Sequence, residues 1–279
     1  MSVPAKPNYK DSVFSKLFSE PNKILTLYNA VSQNNYPPET AVDITTIQNV
    51  LYNGIHNDLS FIIDGKLVVL VEHQSSINPN MPLRLMAYLT RIYDTITKSK
   101  DAYSTKLMKI PRPEFIVLYN GKDNYPDKST LKLSDMFMEL SKEHIPSGYV
   151  ELEVQVLNIN KGHNQTIVQE SVELDGYVWL VDEIRRNKNA GMNLDDAVTK
   201  AVKNCADKNI LADFLEKYGS EVLNMFSAEW NWDEYVAVQR EESKAEGETI
   251  GMLNVLKMLK QGKSIDEIAR DTGVSLAEV

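Results

Sequence analysis

Asp58, Glu72 and Gln74 are the residues of this 279-residue chain whose types and spacing point most directly to chemistry. Phosphodiester hydrolysis with a divalent cation needs hard oxygen ligands, usually one or two carboxylates together with water and a phosphate oxygen. Asp58 and Glu72 carry such carboxylates. Glu72 is the more telling of the two, because it interrupts the apolar run KLVVLVEHQ, where an uncompensated charge is costly. Gln74, two residues on, has the strand parity of Glu72, so its amide is placed to orient a water or touch a scissile phosphate. The same residues also suit an ordinary hairpin in which Glu72 pairs with Arg84, Arg91 or a lysine and Asp58 merely opens a strand. His73 has the other parity and reads as a packed or hydrogen-bonded histidine.

A β-hairpin must position these groups. NDLSFII and KLVVLVEHQ flank Asp64-Gly65, a strong short-range turn signal. The second strand is apolar on both faces from Val68 to Val71, which predicts a central place in its sheet. Loop parity then sets a condition. A two-residue turn stands Asp58 opposite Val71 and leaves Glu72 on the other face, whereas an odd loop or a bulge brings Asp58 opposite Glu72. The odd loop or bulge is the expectation.

Around the hairpin, DSVFSKLFSEPNKILTLYNAV has helical periodicity, with Pro21 marking a break or the first turn of a second helix that should pack on a sheet. LRLMAYLTRIYDTITKS predicts a helix with Leu83, Met86, Leu89, Ile92, Tyr93 and Ile96 on one side. EFIVLYNG predicts a third strand and YVELEVQVLNIN a fourth, alternating at Val150, Leu152, Val154 and Val156. The order is mixed α/β. All eleven prolines lie at or before Pro146, and four helical segments follow residue 170. The expected division is residues 1–165 for the α/β part and 166–279 for an all-helical C-terminal region.

Composition bounds the function classes. With 43% apolar and 25% charged residues and no low-complexity tract, the chain reads as globular. No stretch approaches the ~20 apolar residues of a membrane span, and the start lacks a signal-peptide h-region, so a cytoplasmic protein is expected. One cysteine, Cys205, excludes an internal disulfide and a thiolate metal site and is expected to pack between helices. A net charge of −9 argues against coating nucleic acid by bulk electrostatics. Basic residues nevertheless outnumber acidic ones between Arg84 and Lys122, which leaves open a local basic surface or a set of solvated positions.

DSVFSKLF, LYNGIHNDLSF, LVVLVEHQSSINPNMPLRLMAYLTRIYD and EFIVLYNG occur in an order that closely resembles the recombination-promoting nuclease (Rpn) family, bacterial proteins also carried under a transposase label, of the PD-(D/E)XK nuclease superfamily. The resemblance covers roughly residues 9 to 160. It implies a restriction-endonuclease-like mixed sheet flanked by helices, with Asp58 as the motif aspartate and Glu72 as the glutamate around a magnesium ion, manganese being an alternative. Gln74 stands where the superfamily has lysine, so the site lacks that charge, and a second metal or Arg84 would have to offset it. A further acidic ligand from the N-terminal helix is implied, and Glu20 is its candidate, although a solvated residue beside Pro21 reads equally well.

Arg84, Tyr88 and Arg91 share a helix face and are candidate DNA-backbone contacts; the competing reading packs Tyr88 and pairs the arginines with carboxylates. Asn120-Gly121 reads as a turn, with Asn120 a lesser candidate for the site. KSIDEIARDTGVSLAEV resembles the start of a helix-turn-helix, with capping boxes at Ser264/Glu267 and Ser275/Glu278. Because a full recognition helix does not follow, a helical cap or homo-oligomer contact through the C-terminal helices is expected. Two functions follow: a magnesium-dependent DNA endonuclease linked to recombination or transposition, or a catalytically weak or inactive nuclease fold acting as a DNA-binding or interaction module.

Overall fold

The computed structural model describes residues 12–45, 58–73, 78–97, 105–138, 150–226 and 251–272 apart from 253 and 256; for Asp58, residues 70–73, Ala269 and Asp271 it describes the backbone course. Two compact units divide the chain, residues 1–229 and 230–279. The first contains the sheet. Among the described residues its strands are β1 (Asp43–Ile44), β2 (Asp58–Ile63), β3 (Lys66–His73), β4 (Arg112–Tyr119), β5 (Lys128–Lys132) and β6 (Glu153–Asn158), in the order β1-β2-β3-β4-β6-β5. β3 is central, as its two-sided apolar run predicts. It pairs antiparallel with β2 and parallel with β4, which pairs parallel with β6, so the sheet is mixed.

The β2–β3 connection departs from expectation. Asp64 and Gly65 both adopt left-handed backbone, φ 47° and 70°, and form a regular two-residue turn with Ile63 opposite Lys66. Two consecutive positive φ values give the turn a twist that matches the strands it joins, so neither an odd loop nor a bulge is required. The register that follows stands Asp58 opposite Val71, not opposite Glu72.

Each face of the sheet carries a helical layer. α3 (Met81–Thr97) covers one face, burying Met81, Leu85, Tyr88 and Ile92 against Leu67, Val69, Phe115, Val117 and Val156. These four recur at steps of four, three and four, the spacing of one helical stripe. Of the stripe expected from sequence, Ile92 is buried and Met86, Leu89 and Tyr93 pack half-buried against this core, but Leu83 is 48% exposed and Ile96 36%. On the opposite face lie α1 (Val13–Leu17), α2 (Pro21–Ser32) and α5 (Val172–Asn189): Phe14 of α1 is edge-on to Tyr177 of α5 at 5.5 Å, and Tyr28 of α2 is edge-on to Phe61 of β2 at 5.6 Å. Pro21 occupies the first turn of α2, where its missing N–H costs nothing.

The helices after residue 165 begin with α4 (Gln165–Gln169), and α4 and α5 both contact α2 within the first unit. α5 packs along α6 (Leu194–Asp207), and residues 212–226 are helical. Cys205 is buried on α6, as its helix-packing role requires. In the second unit, α7 (Ile265–Thr272) starts with the expected capping box: the Ser264 N–H donates to Glu267 Oε2 at 2.8 Å and the Glu267 N–H to Ser264 Oγ at 3.3 Å. The second capping box, Ser275/Glu278, lies outside the described residues. No described helix is long and apolar enough to cross a membrane.

Candidate functional site

Asp58 on β2 pairs with Val71 on β3, so position 72 lies one residue beyond that rung on the neighbouring strand. Residues on β2 that share the parity of Asp58 belong to the α3 face: Ile62 packs in that core and Ser60 Oγ lies 3.4 Å from Tyr88 Oη. Position 72 has the other parity. Its partner on β4 is Leu118, in step with Glu114, which accepts a hydrogen bond from Tyr28 of α2. Ladder alternation by itself therefore does not put positions 58 and 72 on one face. The regular two-residue turn thus counts against a site built on a shared ladder face. Gln74 lies outside the described residues. Among the described residues no group of three His, Cys, Asp or Glu side chains gathers to hold a metal.

The parallel strands end at the same edge in a polar cluster. His73 pairs with Tyr119, and Asn120 follows immediately, 1% exposed and in step with Leu118. Arg185 reaches this point from α5. Its Nη1 donates to Asn120 Oδ1 at 3.2 Å and to Asn160 Oδ1 at 2.7 Å, and its Nη2 donates to the Asn120 carbonyl. Asn160 is fixed in turn by donating through Nδ2 to Gly121 O at 3.0 Å and Asn158 Oδ1 at 2.9 Å. Tyr119 donates to the Asp123 carbonyl at 3.1 Å; burial, then the nearby Asp123 carboxylate, raises its pKa. Sequence reasoning reached Asn120 as a lesser candidate but missed Arg185, which stands 65 residues away on a helix whose local pattern carries no signal of it.

The remaining candidates are dispersed. Tyr88 is 6% exposed and packs in the α3 core, as the packing reading has it. Arg84 and Arg91 are half-buried on the same helix. Glu20 is the N-cap residue of α2; its side chain is 54% exposed and pairs with Lys23 at 3.0 Å. Within the basic stretch, Lys106, Lys109, Arg112 and Lys122 are exposed.

A mixed α/β sheet layered by helices on both faces, followed by further helices, defines the fold class. Residues 58–209 match the family described as "Putative transposase, YhgA-like", and the chain belongs to it. The matched span opens at Asp58 and takes in the hairpin, the polar edge, α5 and α6. No curated protein and no solved structure matches the chain.

Proposed function

We propose that the protein is a magnesium-dependent DNA endonuclease, with Asp58 and Glu72 as ion ligands and Gln74 as the amide that orients the attacking water. The observation that carries this reading is the adjacency of positions 58 and 72, one residue apart in register on neighbouring strands, inside a family described as "Putative transposase, YhgA-like". Two carboxylate-bearing positions on neighbouring strands offer the hard oxygens that Mg²⁺ or Mn²⁺ prefers. A cation held there supplies Lewis-acid polarisation of a phosphodiester and lowers the pKa of water. The chain's own residues would do the rest: Asp58 and Glu72 fix the ion's position at the sheet edge, and Gln74 hydrogen-bonds without adding charge. A cytoplasmic location and a role in recombination or transposition accompany this reading.

The test is plasmid cleavage by purified protein in magnesium, beside Asp58→Ala and Glu72→Ala. Each substitution should lower cleavage by at least about 10²-fold, the scale of losing one electrostatic stabiliser of the transition state. Cleavage by Glu72→Ala at the wild-type rate sinks the assignment. The uncharged Gln74 and the opposed parity of positions 58 and 72 favour a second reading, a DNA-binding module on a nuclease fold. DNA binding without cleavage in magnesium or manganese would select it.

A further inference from the structure

β5 is the outer strand of the sheet on the side away from β2, and its register shows what it leaves unpaired. The Asn158 N–H donates to the Asp127 carbonyl at 2.9 Å and the Leu133 N–H to the Leu152 carbonyl at 2.9 Å. Hydrogen-bonded pairs alternate along an antiparallel ladder, so Ser129 and Leu131 carry the bonds to β6 between these two. The main-chain N–H and C=O groups of Lys128, Thr130 and Lys132 therefore point away from β6, toward the open edge. No described strand pairs with them. An edge of this kind is a template for a further strand.

Lysines commonly guard such an edge, but the charges here are unevenly spread along it. At one end Lys132 is bonded to Glu153 at 2.9 Å; this bond and the Glu153 charge, followed by the charges of Glu151 and Asp135, raise its pKa. Three carboxylates thus surround one cation. At the other end Lys128 is exposed, and the neighbouring Asp127 carboxylate is taken by His163 at 2.6 Å. The strand is acidic in sum at its Lys132 end and basic at its Lys128 end. A two-fold axis normal to the sheet at Thr130 reverses that order and makes the edge complementary to itself. Each Lys128 then meets the acidic end of the other copy, and Ser129 meets Leu131 on the α3 side, where both are half-buried.

We propose that two copies of the chain join through β5, pairing antiparallel about Thr130 so that their sheets become one. Thr130 exchanges its outward main-chain bonds with Thr130 of the second copy, and Lys128 and Lys132 exchange theirs with each other across the axis. The β2–β3 hairpin lies nearer the opposite edge of the sheet, so the proposal is independent of the nuclease reading.

The full chain is followed by sedimentation velocity across a concentration series at low ionic strength, where surface charges act most strongly. The wild type should pass reversibly from monomer to dimer. Thr130→Pro removes an outward N–H and no bond to β6, and proline is accepted at an edge position of that kind. It should weaken dimerisation at least about tenfold, since two symmetry-related hydrogen bonds are lost. Lys128→Glu sets like charges together and covers the case in which Thr130→Pro does not fold; it should weaken dimerisation several-fold. Adding Asp135→Lys to Lys128→Glu should restore it, and circular dichroism records the folding of each variant. A wild type that stays monomeric at every concentration overturns the proposal, as does a dimer undiminished in either folded single variant. Failure of the folded double variant to regain dimer strength rejects the antiparallel pairing about Thr130.

Discussion

Tyr28 donates its hydroxyl proton to Glu114 at 2.6 Å, and Lys66 reaches the same carboxylate at 3.2 Å, joining α2, β3 and β4 at the turn end of the hairpin. The Lys66 ammonium also lies 5.9 Å from the ring centres of Tyr28 and Tyr36. Burial and then the Glu114 carboxylate push the Tyr28 hydroxyl pKa up; partial burial pulls Lys66 down, but its bonds to Glu114 and Tyr28 outweigh this and raise it. Both groups thus keep their protons in the folded chain at a pH where the unfolded chain releases them. Their contribution is full below the ordinary values of 10.0 and 10.5 and is lost as pH rises through the raised ones. The melting temperature should therefore hold from neutral pH to about 9 and fall above 10, and Tyr28→Phe should make that fall shallower. An equal alkaline fall in both proteins, followed by circular dichroism, would remove Tyr28 from the account.

Hairpin register depends on two left-handed residues. Asp-Gly is legible as a turn because these residues accept positive φ cheaply, and the structure bears this out at Asp64 and Gly65. At φ +70° a Cβ on Gly65 would meet no atom within 4 Å, so the cost of Gly65→Ala is one of backbone conformation alone, about 1 kcal/mol. Urea denaturation should show a loss of that size, and no loss would mean the turn relaxes to another type. The buried stripe of α3 was harder to read, since its apolar residues nearly surround the helix and only the packed sheet selects Met81, Leu85, Tyr88 and Ile92. β1 and β5 escaped the sequence reading for a related reason. They are edge strands, one of two residues and the other, KSTLK, alternately exposed and half-buried, so neither carries a hydrophobic run.

At the scale of the molecule, the first unit buries helices on both faces of one sheet, and Cys205 lies inside it at 0% exposure. Burial, followed by the Glu183 carboxylate, pushes its thiol pKa up to about 12. Since thiolate is the reactive form, a thiol reagent near pH 8 should label Cys205 only as the unit opens, and the labelling rate should follow unfolding measured by fluorescence. Fast labelling of folded protein would contradict this packing. The sequence by itself determined the mixed α/β class, the Asp64-Gly65 hairpin, the central place of β3 and the described helices after residue 170, because each is written in local periodicity or turn chemistry; most of the last expected helical segment, residues 233–250, lies outside the described residues. Only the tertiary structure decided that Asp58 stands opposite Val71, that Tyr88 is core, and that Arg185 meets Asn120 at the edge beside Glu72. These depend on register, on which helix face meets the sheet, and on a contact between residues 65 apart, none of which local spacing encodes.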